Sequence, residues 1–268
     1  MLSVVFPFDL FGSAGTGAGA QLLGDALHEL LADAAEETRP TRADAFKDRL
    51  RIEEAAFDTP AAVRDWRKTG RKLAAKGLAG GEPLLWLAGN HLAVLPVFEE
   101  LGPDALVLQL DAHFDLYNLA GCTEELSHGN FLLHADGELP RLAHVGSRDL
   151  FFPASAVRKH IQTVLTAEQV ATDADGVVKR VRELTRKAPR VWVDLDCDVF
   201  DPAYFPAVQH PQPMGPSPAV VLRLLAALDW TKVVGFSVSE FDPGRDRNEQ
   251  SLGTLIWLLE WCLLRWSE

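Results

Sequence analysis

An α/β fold with a mostly parallel sheet flanked by helices is predicted by three features of the sequence. Short runs rich in Val, Leu and Ile recur along the chain with no polar alternation, the pattern of strands buried on both faces. Longer segments with helical spacing lie between them, and parallel neighbours need such crossover connections. The chain has 268 residues, 47% hydrophobic and 24% charged, enough for a sizeable core and too apolar for intrinsic disorder. One large domain, or at most two, is expected.

The elements follow in order. Leu2–Phe6 reads as the first buried strand. Gly12–Gly19 is glycine-rich but has neither GxGxxG nor GxxxxGK[ST] spacing, so it reads as a flexible loop near a site mouth before it reads as a phosphate cradle. Ala20–Ala35 has helical spacing, and the polar stretch Glu36–Glu54 is a long connection to which no element is assigned. A helix over Ala61–Ala79 leads to a strand at Leu84–Leu87, a helix at Leu92–Glu100 and strands at Ala105–Leu110 and Leu142–Val145. Helix Asp175–Lys187, strand Val191–Leu195, helix Pro218–Leu228 and strand Val233–Val238 complete the alternation. The apolar stretch Leu252–Trp266 is shorter than the roughly 20 residues a membrane-spanning helix needs and carries Glu260 and Arg265. It reads as a largely buried terminal helix, with Trp257, Trp261 and Trp266 at near-helical spacing in the core.

The formal net charge of −12 argues against a surface that neutralises nucleic-acid phosphates or docks on an anionic membrane. Cys122, Cys197 and Cys262 have no CxxC spacing and are odd in number, so neither a disulfide framework nor a zinc ribbon is supported. No Lys or Arg precedes Arg39, so the positive region of a secretory signal is missing and a cytoplasmic location is expected.

Polar clusters sit directly after the predicted strands: Gly89-Asn90-His91, Asp111-Ala112-His113-Phe114-Asp115, Asp194-Leu195-Asp196-Cys197-Asp198 and Ser239-Glu240. Open parallel sheets bind ligands outside the carboxyl ends of their strands, so the clusters should converge in one crevice. If the chain stays extended, a period of two turns Asp111, His113 and Asp115 to one side, and likewise Asp194, Asp196 and Asp198. Cys197 then faces the other way, into the core. So many partly dehydrated carboxylates are unfavourable unless cations compensate them, which points to divalent metal, and to more than one ion. Carboxylate and imidazole without thiolate suit manganese, or iron, nickel and cobalt, better than structural zinc. Alone, an Asp-x-His is usually a solvated turn and an Asp-x-Asp at a strand end is common in unrelated folds; their joint placement after strands carries the inference.

Taken together the motifs resemble the ureohydrolase family of arginase, agmatinase and formiminoglutamase. The blocks are AGNH at 88–91, DAHFD at 111–115, SHGN at 127–130, DLDCDVFDPAYFP at 194–206 and SEFDP at 239–243, in the family's order. FGSAGTGAG at 11–19 and HVGSRD at 144–149 are also similar to family segments, so the resemblance spans nearly the whole chain. It implies a single doubly wound three-layer α/β/α domain over residues 1–268 and a centre of two manganese ions. By resemblance Asp111 and Asp196 bridge the ions, His91 and Asp115 complete one shell, and His113 and Asp198 complete the other. The implied reaction releases urea and an amine from a guanidino group. Asp115 would hydrogen-bond the nucleophile, His128 would shuttle a proton at the pocket mouth, and Glu240 would pair with the guanidinium. From the residues alone, His128 reads equally as an exposed loop histidine and Glu240 as a helix or turn anchor. The resemblance further implies a homo-oligomer, since family members are commonly trimers or hexamers.

Three departures bear on the substrate. Asn90 stands where the family has an aspartate beside its ligand histidine. Tyr117 stands where arginases that bind free arginine carry an asparagine that reads the α-carboxylate. Gln209-His210-Pro211 replaces Gly-Thr-Pro, which places His210 as a substrate contact or a loop filler. The substrate is therefore left open among arginine, agmatine and an arginine residue within a peptide. Two alternatives stand beside this reading: a formimino or amide hydrolase, including a zinc deacetylase on a similar fold, and a non-catalytic protein that keeps metal for stability.

Overall fold

The apolar runs are continuous because both faces of the sheet are covered. In the computed structural model, which describes residues 1–268, the elements in chain order are β1 (Leu2–Phe6), α1 (Thr16–Glu36), β2 (Arg51–Glu54), α2 (Pro60–Arg64), α3 (Trp66–Ala79), β3 (Leu84–Ala88), α4 (Leu95–Leu101), β4 (Ala105–Leu110), β5 (Arg141–Val145), α5 (Ala154–Val157), β6 (Thr163–Leu165), α6 (Ala167–Thr172), α7 (Ala174–Lys187), β7 (Arg190–Asp196), α8 (Pro218–Ala226), β8 (Val233–Ser239) and α9 (Gln250–Ser267). The eight strands form one sheet in the order β2-β1-β3-β8-β7-β4-β5-β6. Every pair is parallel, so the sheet is wholly and not just mostly parallel.

Successive strand residues feed opposite cores, as a pleat requires. Leu85 and Leu87 of β3 join the core under α1, α7, α8 and α9 with Leu23, Val181, Leu224 and Leu255. Leu84 and Trp86 join the other core with Trp66 and Ala74 of α3 and Val97 and Phe98 of α4. A single close approach fixes the centre of the sheet: a Cβ on Gly235 of β8 would lie 2.0 Å from the ring of its β7 neighbour Trp192. Only glycine leaves that indole its place.

The crossover after β4 leads outward to β5, whereas β7 leads back to β8, so neighbouring strands send their loops in opposite directions. Such a divergence opens a crevice at the carboxyl ends, here above the adjacent strands β3, β8, β7 and β4. All four predicted clusters follow these strands.

Several sequence expectations need correction. β2 lies within the segment left without an element, and β6 was not expected at all; both are edge strands, half-exposed, and lack an apolar run. The helix expected over Ala61–Ala79 is two, because Asp65 has non-helical ψ of 13° between α2 and α3. α1 begins at Thr16, so the end of the glycine-rich segment is its first turn. Trp257 is 51% exposed, while Trp261 and Trp266 pack against the core and meet Trp230 edge-on. No helix is long and apolar enough to cross a membrane.

Candidate metal centre

β3 ends at Ala88, and the chain turns so that the His91 backbone N–H donates to Glu240 Oε1 at 2.8 Å. The Glu240 N–H in turn donates to Gly89 O at 2.9 Å, which ties the ends of β3 and β8 together. The His91 ring is buried with Nδ1 facing Asp115 Oδ2 at 2.7 Å, Asp196 Oδ2 at 3.0 Å and Asp111 Oδ2 at 3.4 Å. Its other nitrogen, Nε2, lies 2.8 Å from Asp194 Oδ2.

The side chains gather as period-of-two reasoning expects, but by a different route. β4 stops at Leu110, and Asp115 has φ of 51°, so the chain does not stay extended. A turn assembles the cluster instead: the His113 N–H donates to Asp111 Oδ1 at 2.6 Å and the Ala112 N–H to Asp198 Oδ1 at 3.1 Å. Asp198 sits in a short 3-10 turn after β7, its N–H bonded to Asp196 Oδ1 at 2.9 Å, and its Oδ2 lies 2.8 Å from His113 Nδ1. Cys197 is buried in the core, as alternation indicated.

Two sets of side chains offer donor atoms within 4.8 Å of one another: His91, Asp111 and Asp196, and Asp111, His113 and Asp198. Asp111 belongs to both. The atoms His91 Nδ1, Asp111 Oδ2 and Asp115 Oδ2 are buried, lie together and have no hydrogen-bond partner. Buried polar groups are rarely left so. A divalent cation among them would satisfy all three, and the oxygen and imidazole donor set fits one.

The electrostatics agree. Burial, and then the charges of Asp115, Asp196 and Asp198, push Asp111 well above the ordinary carboxylate range. Burial and Asp198 push Asp196 up as well. Burial would also raise Asp198, but His113 overrides it and brings the group down to about 2. For His113, burial is outweighed by the carboxylates, Asp198 first, and the imidazole rises to about 9. Carboxylates held protonated by one another are what a cation would displace protons from.

A cavity of about 190 Å³ opens over the centre, lined by His91, His113, Asp115, Tyr117, His128, Gly129, Asp196, Asp198, His210 and Glu240. Of the residues expected to ligate metal, act in catalysis or touch substrate, all are in its wall except Asp111, which lies fully buried. A larger cavity of about 970 Å³ borders Arg148 and Gln212 but holds none of these imidazoles and no part of the carboxylate cluster. Chemistry, not size, marks the site. His128 Nδ1 is 3.2 Å from Glu240 Oε1, and the ring of His210 is centred 5.5 Å from that of His128. The glycine-rich segment reaches the mouth: the His128 N–H donates to Phe11 O at 3.0 Å, and a Cβ on Gly12 would fall 2.7 Å from the His128 ring.

Comparison with known proteins decides the family. A family model described as the arginase family matches residues 3–263. The chain belongs to the arginase family. Among curated members, an agmatinase from Cronobacter sakazakii is 32% identical over 200 residues, 70% of this chain and 62% of the relative. An agmatinase from Klebsiella pneumoniae is 30% identical over 216 residues, 76% of this chain and 67% of the relative. The chain therefore matches a little under or about two thirds of these relatives' length. Among solved structures, Bacillus subtilis arginase superimposes with a TM-score of 0.79 at 18% identity, covering 98% of both chains. A hypothetical agmatinase from Burkholderia thailandensis gives 0.78 at 22% identity over 99% of this chain and 85% of its own. These neighbours share the arginase fold.

Sequence reasoning left some residues of this arginase-family site without a role. Arg148, in the HVGSRD block, donates to the backbone carbonyls of Gly146, Val199, Asp198 and Gln212 at 2.7 to 3.1 Å, and so holds the loop that carries Asp198. Gln212 places its amide 3.4 Å from His113 Nε2. His144, given no role, is buried with Nε2 donating to His113 O at 2.5 Å. The one signal for them was position: His144 and Arg148 lie within the HVGSRD block, and Gln212 directly follows Gln209-His210-Pro211.

Proposed function

We propose that the protein is a ureohydrolase that cleaves a guanidino group to urea and an amine, with agmatine or another guanidino compound lacking a free α-carboxylate as substrate. His91, Asp111, Asp115 and Asp196 would hold one divalent ion, and Asp111, Asp196, His113 and Asp198 the second, manganese being the ion that suits this donor set. When bound, such ions supply a hydroxide nucleophile at neutral pH by lowering the pKa of water.

The observation that carries the reading is the charge arrangement over the cavity. Two divalent ions would balance the four carboxylates Asp111, Asp115, Asp196 and Asp198, and the buried Glu240 carboxylate beside them would be left to receive a cation. Its Oε1 is engaged by the His91 N–H and faces His128, which leaves Oε2 for a guanidinium. Asp115 is within reach of the same space to accept a hydrogen bond from the nucleophile. His128 stands at the mouth; burial would lower its pKa but Glu240 raises it, which suits it to pass a proton to the leaving amine. Tyr117 and His210 also line the cavity, whose wall has no Lys or Arg to receive a substrate carboxylate, and the curated relatives are agmatinases. A mononuclear zinc deacetylase would have no use for His91.

Urea release from manganese-loaded protein on agmatine, free arginine and an arginine-containing peptide tests the reading. Urea from agmatine or the peptide in excess over arginine is expected. No urea from any guanidino compound overturns it.

A further inference from the structure

The buried acid Asp194 takes no part in the cavity wall and lies in neither set of clustered donors. It is nevertheless fully buried a short distance from carboxylates that already repel one another. Both of its oxygens are used. Oδ1 accepts from the Ser237 hydroxyl at 2.5 Å, and Ser237 Oγ accepts from Trp192 Nε1 at 2.8 Å. Oδ2 faces His91 Nε2 at 2.8 Å. The strand register fixes the first contact, because Asp194 and Ser237 are direct neighbours across β7 and β8. Asp194 thus reaches past β8 to the end of β3.

A carboxylate oxygen whose partner oxygen already accepts from Ser237 takes a hydrogen bond from His91, so the contact puts the proton on Nε2 and leaves the lone pair on Nδ1. Nδ1 is the atom that faces Asp111, Asp115 and Asp196. The second histidine of the centre is held differently. His113 turns Nδ1 to Asp198, and its outer Nε2 meets only the neutral amide of Gln212 at 3.4 Å. If the fold needed only a buried acceptor for Ser237 and His91, a neutral amide would serve without adding a charge to an acidic cluster. A carboxylate behind a metal-bound imidazole does something an amide cannot: it fixes the ring and strengthens the opposite nitrogen as a donor.

We propose that Asp194, backed by Ser237 and Trp192, is a positioning residue that locks His91 with Nε2–H inward and Nδ1 toward the metal centre, and so selectively strengthens the ion on the His91 side. The proposal rests on the two-ion ureohydrolase reading. The test is manganese binding itself, followed by the electron paramagnetic resonance of free Mn2+ in titrations of chelator-stripped protein, for the wild type, Asp194→Asn, Ser237→Ala and Gln212→Ala. Asparagine keeps the size and can still accept from His91 and donate to Ser237, so it removes the charge and leaves the geometry. The expected result is two ions bound by the wild type, with one binding step weakened about ten- to a hundredfold in Asp194→Asn and the other unchanged. Ser237→Ala, which leaves the charge and frees one oxygen, should weaken the same step by less, and it carries the test if Asp194→Asn does not fold. Gln212→Ala should leave that step alone. A purely structural role would lower both steps together along with the melting temperature of the metal-free protein, and that result overturns the proposal. So does an unchanged isotherm in folded Asp194→Asn while the wild type binds two ions, an outcome that leaves the ureohydrolase reading standing. A wild type that binds no manganese removes both.

Discussion

Stripping and reloading the centre should move the stability of the whole protein, by an amount that follows from the ligand set. Asp111, Asp115, Asp196 and Asp198 are at most 5% exposed, and with His91 and His113 they are the donors proposed for two ions. The unfolded chain has no such site, so ion binding adds to folding stability as RT ln(1 + [L]/Kd). At an ion concentration about 100 times the dissociation constant each site contributes about 2.7 kcal/mol, and two sites about 5 kcal/mol. For a chain of this size each kcal/mol is worth about 2–4 °C, so the melting temperature should rise by on the order of 10–20 °C. The rise should shrink as pH falls, because Asp111 and Asp196 hold protons well above the ordinary carboxylate range and an ion must displace them. The assay is thermal melting of chelator-treated protein with and without excess Mn2+, at neutral pH and about one unit lower. Asp111→Asn should abolish nearly the whole rise, since Asp111 belongs to both donor sets, whereas His113→Ala should remove about half. An equal rise in Asp111→Asn and wild type, or no rise in either, would refute the assignment of these side chains as metal ligands.

Glu240→Gln should lower kcat/KM for the guanidino substrate by about 10- to 100-fold, the worth of a hydrogen bond to a charged group. It should also lower the pKa of His128, whose burial Glu240 now counteracts, so the alkaline limb of the pH–rate profile moves to lower pH; an unmoved limb would separate the two residues. His144 is held down to about 4 by burial, so between that value and about 6.5 the unfolded chain binds a proton the folded one does not, and stability rises with pH across that window. His144→Gln should flatten this part of the stability curve, by up to about 3 kcal/mol, as read by urea denaturation at pH 4.5 and pH 7. On α9, Leu258→Ala should cost about 2–5 kcal/mol, since Leu258 is 2% exposed, whereas Trp257→Gln at 51% exposure should cost about 0.5 kcal/mol; melting curves of the two variants would rank them.

The contrast on α9 shows what a sequence pattern does and does not carry. At 3.6 residues per turn Trp257 and Trp266 are nine residues, or about half a turn, out of phase, so they cannot share one face of the helix. Near-helical spacing was enough to expect a helix and not enough to say which tryptophan the core takes. The central strands were legible for the opposite reason. β1, β3, β4, β7 and β8 are buried on both faces, so nearly every position is apolar and no phase has to be guessed. β2 and β6 lie at the two edges, where one side meets solvent and RIEE or TVL gives too little pattern to find.

The site divides along the same line. His91, Asp111, Asp115, Asp196 and Asp198 could be found because parallel strands deliver whatever follows them to one crevice, and that rule needs no knowledge of backbone angles. What each residue does there depends on angles no spacing encodes. Asp194, Asp196 and Asp198 are equivalent in sequence, alternating along one strand end. In the fold Asp196 and Asp198 turn into the two donor sets, while Asp194 points at the far nitrogen of His91 and never reaches the cavity. Arg148 is less visible still, because its partners are backbone carbonyls, which every residue has. The same distinction applies to the acidity of the chain. Of the net charge of −12, the carboxylates gathered over β4 and β7 are acids the fold conceals, and they repel one another. A concealed repulsion of that kind is stable only if something cationic relieves it, which is why the negative charge says more about what enters the crevice than about what the surface avoids.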